Sequence, residues 1–223
     1  MRQTRRAYLA AAAGALTLGT AGCLGGSGGG AVDSLDCDVP QRETIDSLPA
    51  PAIGPDDAAV VVDGWEDFAC PHCATFSLDV LPKIQSTYVD EGIVQYRHHD
   101  LPIPVDEWLS WKGASGARQV QTEADDETFF EFAHTLYENQ SRFRQGDAEE
   151  KLSTLQTFAN DAGLDGCSIA AAASRERYRP LLEAERSDAV DERGFRGTPT
   201  VLVDGQQVNA TWDAIESAIE NAR

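Results

Sequence analysis

The chain alternates between short apolar runs and longer stretches of helical periodicity. Apolar or β-branched runs at residues 58–62, 93–98 and 200–203 are short enough for buried strands. Asp204-Gly205 is a hairpin-turn signal, so residues 207–209 are predicted to return as the partner of the third run. These four segments predict one sheet to which both halves of the chain contribute.

Helical periodicity accounts for most of the remaining residues. Apolar residues after Cys73 follow a helical stripe to about Val89, and Pro82 is expected to bend that helix. From residue 106 to about residue 193 the pattern is helical almost throughout. Turn residues inside this stretch predict roughly four helices, with breaks near 124–125, 146–147 and 163–165.

The element order is therefore β-α-β, a helical block, and then β-β-α. Residues 213–221 supply the last helix, with Thr211 as its expected N-cap. One core sheet with an inserted block accounts for every element, so we expect a single α/β domain over residues 55–223. The helical insertion is expected at about 104–193. The preceding segment, 23–54, is expected to be a tether and an irregular lead-in, for which a short strand is an open alternative.

Residues 1–22 have the character of an export signal. Arg2, Arg5 and Arg6 precede an apolar run that is too short and too rich in small residues for a comfortable membrane span. The segment around Arg5-Arg6 resembles a twin-arginine signal, and the small residues before Cys23 resemble a lipobox, whose cysteine becomes lipidated. The glycine-rich stretch after Cys23 predicts a flexible tether. An uncleaved N-terminal anchor is the alternative, and both interpretations place the domain outside the cytoplasm.

Charge indicates where the protein works more than how it folds. The chain carries 18 Lys and Arg against 37 Asp and Glu, a formal net charge of −19. A surface this acidic repels phosphate backbones, which argues against sequence-independent binding of nucleic acid. Only three of the basic residues are lysines, and the acids are spread over the whole chain. This composition favours a protein that stays hydrated in concentrated salt, with an ordinary acidic protein as the alternative.

The five cysteines fit a compartment in which disulfides form. If Cys23 carries a lipid, four cysteines remain. Of these, Cys70 and Cys73 are close in sequence and are interpreted as one pair. Cys37 and Cys167 are then the candidate structural disulfide, which would tie the N-terminal segment to the helical region. The spacing alone leaves this pairing open.

The motif Cys70-Pro71-His72-Cys73 carries the candidate chemistry. It follows a predicted strand and opens a predicted helix, where unpaired N–H groups and the helix dipole favour a thiolate on the first cysteine. Cys70 is then the nucleophile of disulfide exchange, and Cys73, one turn into the helix, resolves a mixed disulfide. Pro71 suits a first helical turn, because its missing N–H would be unused there. A protonated His72 would stabilise the thiolate further.

A metal site is the alternative for the same motif. Cys70 and Cys73 together with His98 and His99 would supply the four ligands of a Cys2His2 metal site. Adjacent histidines at a strand end point to opposite faces, however, so only one of them could reach a metal. We therefore expect no metal and no cofactor. His98 and His99 are interpreted as an unligated strand-end pair, and His134 as a structural or solvated residue of an amphipathic helix.

A second motif, Gly197-Thr198-Pro199-Thr200, stands directly before the third strand. A proline that enters a strand after a long helical region is a candidate for a cis peptide bond, with a trans proline as the alternative. The element order places this point beside the start of the first helix, next to Cys70. The backbone of Thr198 and Pro199 would then offer strand-like hydrogen bonds to an extended substrate chain.

Together the two motifs resemble a known family. The residues Phe68-Ala69-Cys70-Pro71-His72-Cys73 with Phe76, and Gly197-Thr198-Pro199-Thr200 with Val203-Asp204-Gly205, are similar to the DsbA-like branch of the thioredoxin superfamily, including exported haloarchaeal members. The resemblance covers roughly residues 55–220. It implies a thioredoxin fold, with a central mixed sheet flanked by helices and an inserted helical domain. It also implies thiol–disulfide exchange at Cys70 and Cys73, with a cis Pro199 facing that pair.

One position departs from the family pattern. Many relatives carry a buried acid six residues before the first cysteine, to which proton transfer for the resolving thiol is attributed, and here that position is Gly64. Asp63, Glu66 and Asp67 are the candidates to replace it. Strand alternation places Asp63 on the opposite face of the sheet.

These features predict an exported, lipid-anchored thiol–disulfide oxidoreductase that works as an oxidase. Its expected partners are protein thiols and disulfides, a membrane or soluble protein that reoxidises the pair, and the membrane through the lipid. The same pair working as a reductase or isomerase is the nearest alternative, since direction depends on the reduction potential. A non-enzymatic metal-binding module, or metallochaperone, of thioredoxin fold is the alternative from another class.

Overall fold

The structure, a computed structural model, describes residues 35–103 and 106–223 of the chain. The predicted export signal, the glycine-rich tether and the lipid-accepting Cys23 lie outside the described residues. Within the described part of the chain, no helix is both long enough and apolar enough to cross a bilayer.

A five-stranded mixed sheet forms the centre of the fold. Its strands are β1 (Ala52–Ile53), β2 (Val60–Glu66), β3 (Val94–Asp100), β4 (Thr200–Val203) and β5 (Gln206–Val208). They are arranged in the order β1-β3-β2-β4-β5. β2 and β3 are parallel because a helix connects them, and the other neighbouring pairs are antiparallel. This is the mixed sheet that the resemblance implies.

β2 is longer than the apolar pattern indicates. The sequence predicts a strand that ends at Val62 and a loop from Asp63 onward, yet β2 pairs with β3 as far as Glu66. The prediction was wrong here because the polar residues of this half of the strand find buried partners on neighbouring strands, which hydrophobic periodicity does not register. Glu66 consequently lies inside the sheet, and Gly64 lies at its centre between β3 and β4.

Three predictions that rest on local sequence signals have different outcomes in the structure. Asp204 and Gly205 have φ angles of 45° and 76°, as a two-residue hairpin between β4 and β5 needs, so that turn is confirmed. The segment predicted as an irregular lead-in contains the short edge strand β1. Thr211 occupies the predicted N-cap position of the last helix, with an extended backbone, but its side chain makes no capping hydrogen bond.

The helix after β2 runs in four consecutive pieces from Pro71 to Val89. They are α1 (Pro71–Thr75), a π-helical turn (Phe76–Val80), α2 (Leu81–Ile84) and a second π-helical turn (Gln85–Val89). Pro82 lies in the first turn of α2, directly after the first π-helical turn. Because proline lacks the N–H of a regular α-helix, the change of hydrogen-bonding pattern falls where the sequence predicts a bend.

Six helical segments, where roughly four are predicted, occupy residues 108–192. Asp125, Asp147 and Asp165 cap three of them, each accepting a hydrogen bond from a backbone N–H of the first turn, at the three predicted breaks. Two further breaks, at Asn139 and around Glu176, lack a glycine or a turn cluster. The segments are Trp108–Gly113 (π-helical) leading into α3 (Ala114–Glu123), α4 (Asp126–Glu138), α5 (Gln140–Phe143), α6 (Ala148–Asp161), α7 (Gly166–Ser174), and α8 (Arg179–Ser187) leading into a π-helical turn (Asp188–Glu192).

The sheet separates two hydrophobic clusters. On one face, Val62 and Tyr96 pack with Phe76 of the first π-helical turn and with the closing helix α9 (Trp212–Ala222). On the other face, Trp65 and Leu202 pack with residues of the π-helical turn after α8. Successive residues of β2 therefore contribute to opposite sides of the sheet, which decides which of its polar residues can approach α1.

A segment of residues 35–51, the N-terminal strap, crosses the helical block. A disulfide joins Cys37 to Cys167 near the start of α7, with Cα atoms 5.5 Å apart. Gln156 of α6 donates from Nε2 to the two sulfurs, at 3.1 and 3.2 Å. Arg175 donates to two carbonyls of the strap, each at 3.1 Å. The disulfide and these hydrogen bonds hold the strap against the helices.

Replacing Cys37 by serine will lower the free energy of unfolding by about 2–5 kcal/mol, because the bond closes a long loop of the unfolded chain. The sequence separation of the two cysteines is 130 residues. Urea unfolding of the wild-type and variant proteins, followed by circular dichroism, measures the loss. The double variant Cys37→Ser/Cys167→Ser serves as a control, since it should lose no more than the single variant. An unchanged unfolding midpoint in both would contradict a stabilising bond.

Candidate active site

Cys70 lies at the junction between the loop after β2 and the first turn of α1. Its backbone is extended, with φ −77° and ψ 122°, and Pro71 begins the helix. Cys73 follows one turn later and is fully buried, and both cysteines are free thiols in this structure. Pro71 and His72 between them are exposed. The first turn of α1 therefore presents its unpaired N–H groups to the sulfur of Cys70.

The two thiols of the pair differ sharply in acidity. Hydrogen bonding from the Cys73 thiol lowers the pKa of Cys70 to about 5, helped by Thr198 and by the backbone N–H groups of Cys73 and His72, against the opposing effect of burial. Burial raises the pKa of Cys73 well above its usual value, and the hydrogen bond to Cys70 and the charge of Glu66 act in the same direction. Cys70 is therefore the thiolate of the reduced pair and Cys73 the thiol.

The loop before β4 packs against Cys70, as the order of elements predicts. The Thr198–Pro199 peptide bond is cis. The carbonyl oxygen of Thr198 lies 3.5 Å from Sγ of Cys70, and the buried hydroxyl of Thr198 has no oxygen or nitrogen partner among the described residues. The Cys70–Cys73 pair and the Thr198–Pro199 peptide, which are far apart in sequence, thus lie together at the start of α1.

Glu66 is the acid that lies behind the pair. It is 1% exposed, on the same face of β2 as Gly64. Its Oε1 accepts a hydrogen bond from the Tyr96 hydroxyl at 2.6 Å and lies 3.3 Å from Nδ1 of His98. Its Oε2 is buried and has no partner among the residues the structure describes. The backbone N–H of the next residue, Asp67, donates to Sγ of Cys73 at 3.5 Å, and the charge of Glu66 acts to raise the pKa of that thiol.

His98 is held between two carboxylates. Its Nε2 lies 3.4 Å from Oδ1 of Asp100, on the side opposite Glu66. Burial opposes a charge on the imidazole, but hydrogen bonds to Asp100 and Glu66 raise the pKa of His98 to about 9. Arg118, fully buried in α3, donates to Asp100 at 2.7 Å and to Glu185 at 2.7 Å, which anchors the far end of the network.

The other two candidate acids have different roles. Asp63 lies on the opposite face of β2, where it accepts hydrogen bonds from Arg97 at 2.7 and 2.9 Å and lies 2.9 Å from His99. Asp67 organises the loop before Cys70. Burial raises the pKa of Asp67 to about 6, and both of its side-chain oxygens are occupied by the Ser110 hydroxyl and by backbone N–H groups. Within the described part of the chain, Glu66 is the only one of the three acids with a buried oxygen that lacks a partner, and its charge acts to raise the pKa of Cys73.

The other cysteines and histidines that the sequence singles out have the following positions and contacts in the structure. Cys37 and Cys167 form their disulfide in the helical block, apart from the Cys70–Cys73 pair. His98 and His99 point to opposite faces of the sheet, and each contacts a carboxylate, that of Glu66 for His98 and that of Asp63 for His99. His134 is exposed on α4 beside Glu138. Residues 35–103 and 106–223 contain no cluster of three or more His, Cys, Asp or Glu that could hold a metal ion.

Comparison with known proteins agrees with this geometry. A family model described as Thioredoxin matches residues 46–221. The chain belongs to the thioredoxin family. Disulfide bond formation protein D of Bacillus subtilis is 27% identical over 183 residues, which cover 76% of this chain and 75% of that protein. Probable disulfide bond formation protein D of Bacillus anthracis is 29% identical over 179 residues, which cover 76% of each chain.

Solved structures show the same fold. BdbD from Bacillus subtilis matches with a TM-score of 0.68 at 24% identity, covering 81% of this chain and 98% of that chain. DsbA of Chlamydia trachomatis matches with a TM-score of 0.64 at 19% identity, covering 82% of this chain and 96% of that chain. The protein is thus a DsbA-like member of the thioredoxin family and a thiol–disulfide oxidoreductase.

Sequence reasoning missed three contributors to this DsbA-like site. The sequence indicates Tyr96 only as part of a strand, and it indicates Ser110 and Gln140 only as parts of the helical block. Gln140 donates to backbone carbonyls of the loop that carries Cys70. An isolated serine or glutamine in a helical stretch carries no signal of such a contact, because its partner is more than 40 residues away in the chain.

Proposed function

We propose that Cys70 and Cys73 are the redox pair and that the protein oxidises the thiols of other proteins outside the cytoplasm. The asymmetry of the pair is the observation that carries this proposal. The Cys73 thiol and the N–H groups of the first turn of α1 lower the pKa of Cys70, whereas Cys73 is buried and feels the charge of a nearby carboxylate. Stabilising the thiolate favours the reduced pair, and the disulfide form is correspondingly oxidising.

The proposed reaction begins with the oxidised pair. A substrate thiolate attacks Sγ of Cys70, a mixed disulfide forms, the Cys70–Cys73 bond breaks, and Cys73 leaves as a thiolate that takes up a proton. A second substrate thiolate then attacks the substrate sulfur of the mixed disulfide, and Cys70 leaves as the stabilised thiolate. Two electrons pass from the substrate thiols to the pair. A partner that carries a disulfide or an equivalent oxidant takes them up when the pair is reoxidised.

The neighbouring residues have supporting roles in this proposal. Pro71 starts the helix without losing a hydrogen bond. His72 contributes its backbone N–H to Cys70, and its exposed imidazole is available to contact an incoming chain. Thr198 and the cis Pro199 offer backbone groups beside Cys70, to which an extended substrate chain can bind.

Export and lipid attachment at Cys23 complete the proposal. The arginines and the short apolar run of residues 1–22 support export, and the Cys37–Cys167 disulfide fits an oxidising compartment. The net charge of −19 supports a protein that works in concentrated salt. The expected partners are protein thiols, a recycling oxidant and the membrane to which the lipid attaches.

The reduction potential of the Cys70–Cys73 pair tests the proposed direction. We expect a value between about −120 and −200 mV, the range of oxidising and isomerising members of the superfamily. The protein is equilibrated with glutathione buffers in molar salt, and the two states are counted by alkylation and mass spectrometry. The Cys37–Cys167 disulfide, which should stay oxidised throughout, is the internal reference. A potential near about −270 mV would instead assign the pair to a reductase.

A further inference from the structure

Gln140 belongs to the helical block, yet its side chain lies against the loop that carries the first cysteine. Its Nε2 donates to the carbonyl oxygen of Phe68 at 2.8 Å and to that of Cys70 at 2.9 Å. Only 7% of the residue is exposed, so both bonds lie away from solvent. The two N–H bonds of one amide are thus directed to the two carbonyls that flank Ala69.

These two carbonyls depend on Gln140 to different degrees. Among the described residues, the carbonyl of Phe68 has no other hydrogen-bond donor. The carbonyl of Cys70 also accepts the N–H of Ala74, which is the first helical hydrogen bond of α1. Gln140 therefore joins the irregular loop and the first turn of the helix through a single group. Because a buried carbonyl without a donor is unfavourable, the hydrogen bonds from Gln140 stabilise the observed conformation of the loop.

The orientation of these peptide groups matters for the charge on Cys70. The N–H groups of His72 and Cys73 stabilise the thiolate, and they keep their direction only while the peptide groups before them are fixed. A carbonyl oxygen carries negative partial charge, and a peptide group that turned its oxygen towards the sulfur would destabilise the thiolate. Gln140 draws both oxygens towards α5 and away from that sulfur.

We propose that Gln140 is a positioning residue of the redox reaction, through which the helical block holds the Cys70 loop in the orientation that stabilises the thiolate. The inference rests on the proposed assignment of Cys70 as the reactive cysteine. It gives the helical block a part in setting the reduction potential, in addition to any part in substrate binding.

The test compares the variant Gln140→Met with the wild-type full-length chain. Methionine has a similar length and fills the same space, but it cannot donate a hydrogen bond. The rate at which iodoacetamide alkylates Cys70 in the reduced protein is measured as a function of pH, with mass spectrometry to identify the modified peptide. The wild-type profile should have its midpoint at the Cys70 pKa of about 5.

We expect the midpoint of the variant to rise by about one pH unit, a tenfold loss of thiolate stabilisation. The reduction potential should fall by about 30 mV, which is the same tenfold change for a two-electron couple. The titratable groups around the two sulfurs remain unchanged in the variant. They are His72 and Cys73 on α1, Asp67 in the loop, Glu66 on β2, Tyr96 on β3 and Tyr137 on α4.

Gln156→Met is the matched control. Gln156 also lies in the helical block and also donates from its side-chain amide, but to the sulfurs of the Cys37–Cys167 disulfide. The alkylation profile of this control should coincide with that of the wild type. An equal shift in both variants would show a general loosening of the block and overturn the inference, as would a Gln140→Met variant that loses thermal stability without any shift.

A second variant keeps the inference testable if Gln140→Met does not fold. The shorter amide of Gln140→Asn can reach only one of the two carbonyls, so we expect a smaller shift in the same direction. No shift in a folded Gln140→Asn protein would then overturn the inference. Failure of the underlying assignment has a different signature, because Cys70 of the wild-type protein would then show no reactive thiolate near pH 5.

Discussion

Replacing Cys70 by serine will abolish thiol–disulfide exchange, with a loss of at least about a thousandfold in the rate of substrate oxidation. A serine hydroxyl is not ionised near neutral pH and cannot form or break a disulfide, so no mixed disulfide with a substrate can arise. Cys73 cannot take over the role, because it is fully buried and its pKa is raised well above the usual value by burial.

The measurement is the oxidation of a reduced, unfolded protein substrate in the presence of a glutathione redox buffer. Cys37→Ser is the matched control, since it also removes one sulfur but from the disulfide in the helical block. It should keep the rate of oxidation while losing stability. Cys73→Ser should trap substrates as mixed disulfides on Cys70. Retention of full activity by Cys70→Ser would show that the reactive cysteine has been assigned wrongly.

Replacing Glu66 by glutamine will slow the step in which Cys73 attacks a mixed disulfide on Cys70 by about a hundredfold near neutral pH. In that step the Cys73 thiol must lose a proton, and we expect the buried, unpartnered Oε2 of Glu66 to accept it, since the charge of Glu66 acts on that thiol. Tyr96 and His98 both contact the other oxygen, Oε1, and so orient the carboxylate. Glutamine preserves the shape and removes the acceptor.

An aromatic disulfide reagent that releases a coloured thiolate separates the two steps. The first release reports attack by Cys70, and the second reports closure by Cys73. We expect the first phase to be unchanged in Glu66→Gln and the second to be slow. The deficit should shrink as pH rises, because hydroxide then removes the proton from a thiol whose pKa is raised by burial.

Asp63→Asn provides the control for this experiment. Asp63 is also a buried carboxylate of β2, but it lies on the opposite face and pairs with Arg97. Its variant should close the disulfide at the wild-type rate. If both variants were equally slow in the second phase, the effect would be a general consequence of altering β2. That result would contradict the role of Glu66 as the proton acceptor for Cys73.

At Gly64, the sequence predicts only part of what the structure shows. The sequence identifies the departure, a glycine where relatives carry an acid, but leaves three acids as candidates to replace it. A side chain at position 64 would collide with the Tyr96 hydroxyl, so the glycine makes room for the group that orients Glu66. Choosing Glu66 required knowing that β2 extends beyond Val62, and the apolar pattern ends too early to show it.

The sequence by itself determined the features whose causes are local. A Cys-x-x-Cys motif between a strand and a helix, a hairpin at Asp204-Gly205 and aspartates that cap helices act within a few residues, so their signals can be read directly. Only the tertiary structure decided which of the three acids keeps an unpartnered buried oxygen and that Gln140 contacts the Cys70 loop. These contacts join residues 30 to 72 positions apart, and hydrophobic periodicity records that a side chain is buried without recording its partner.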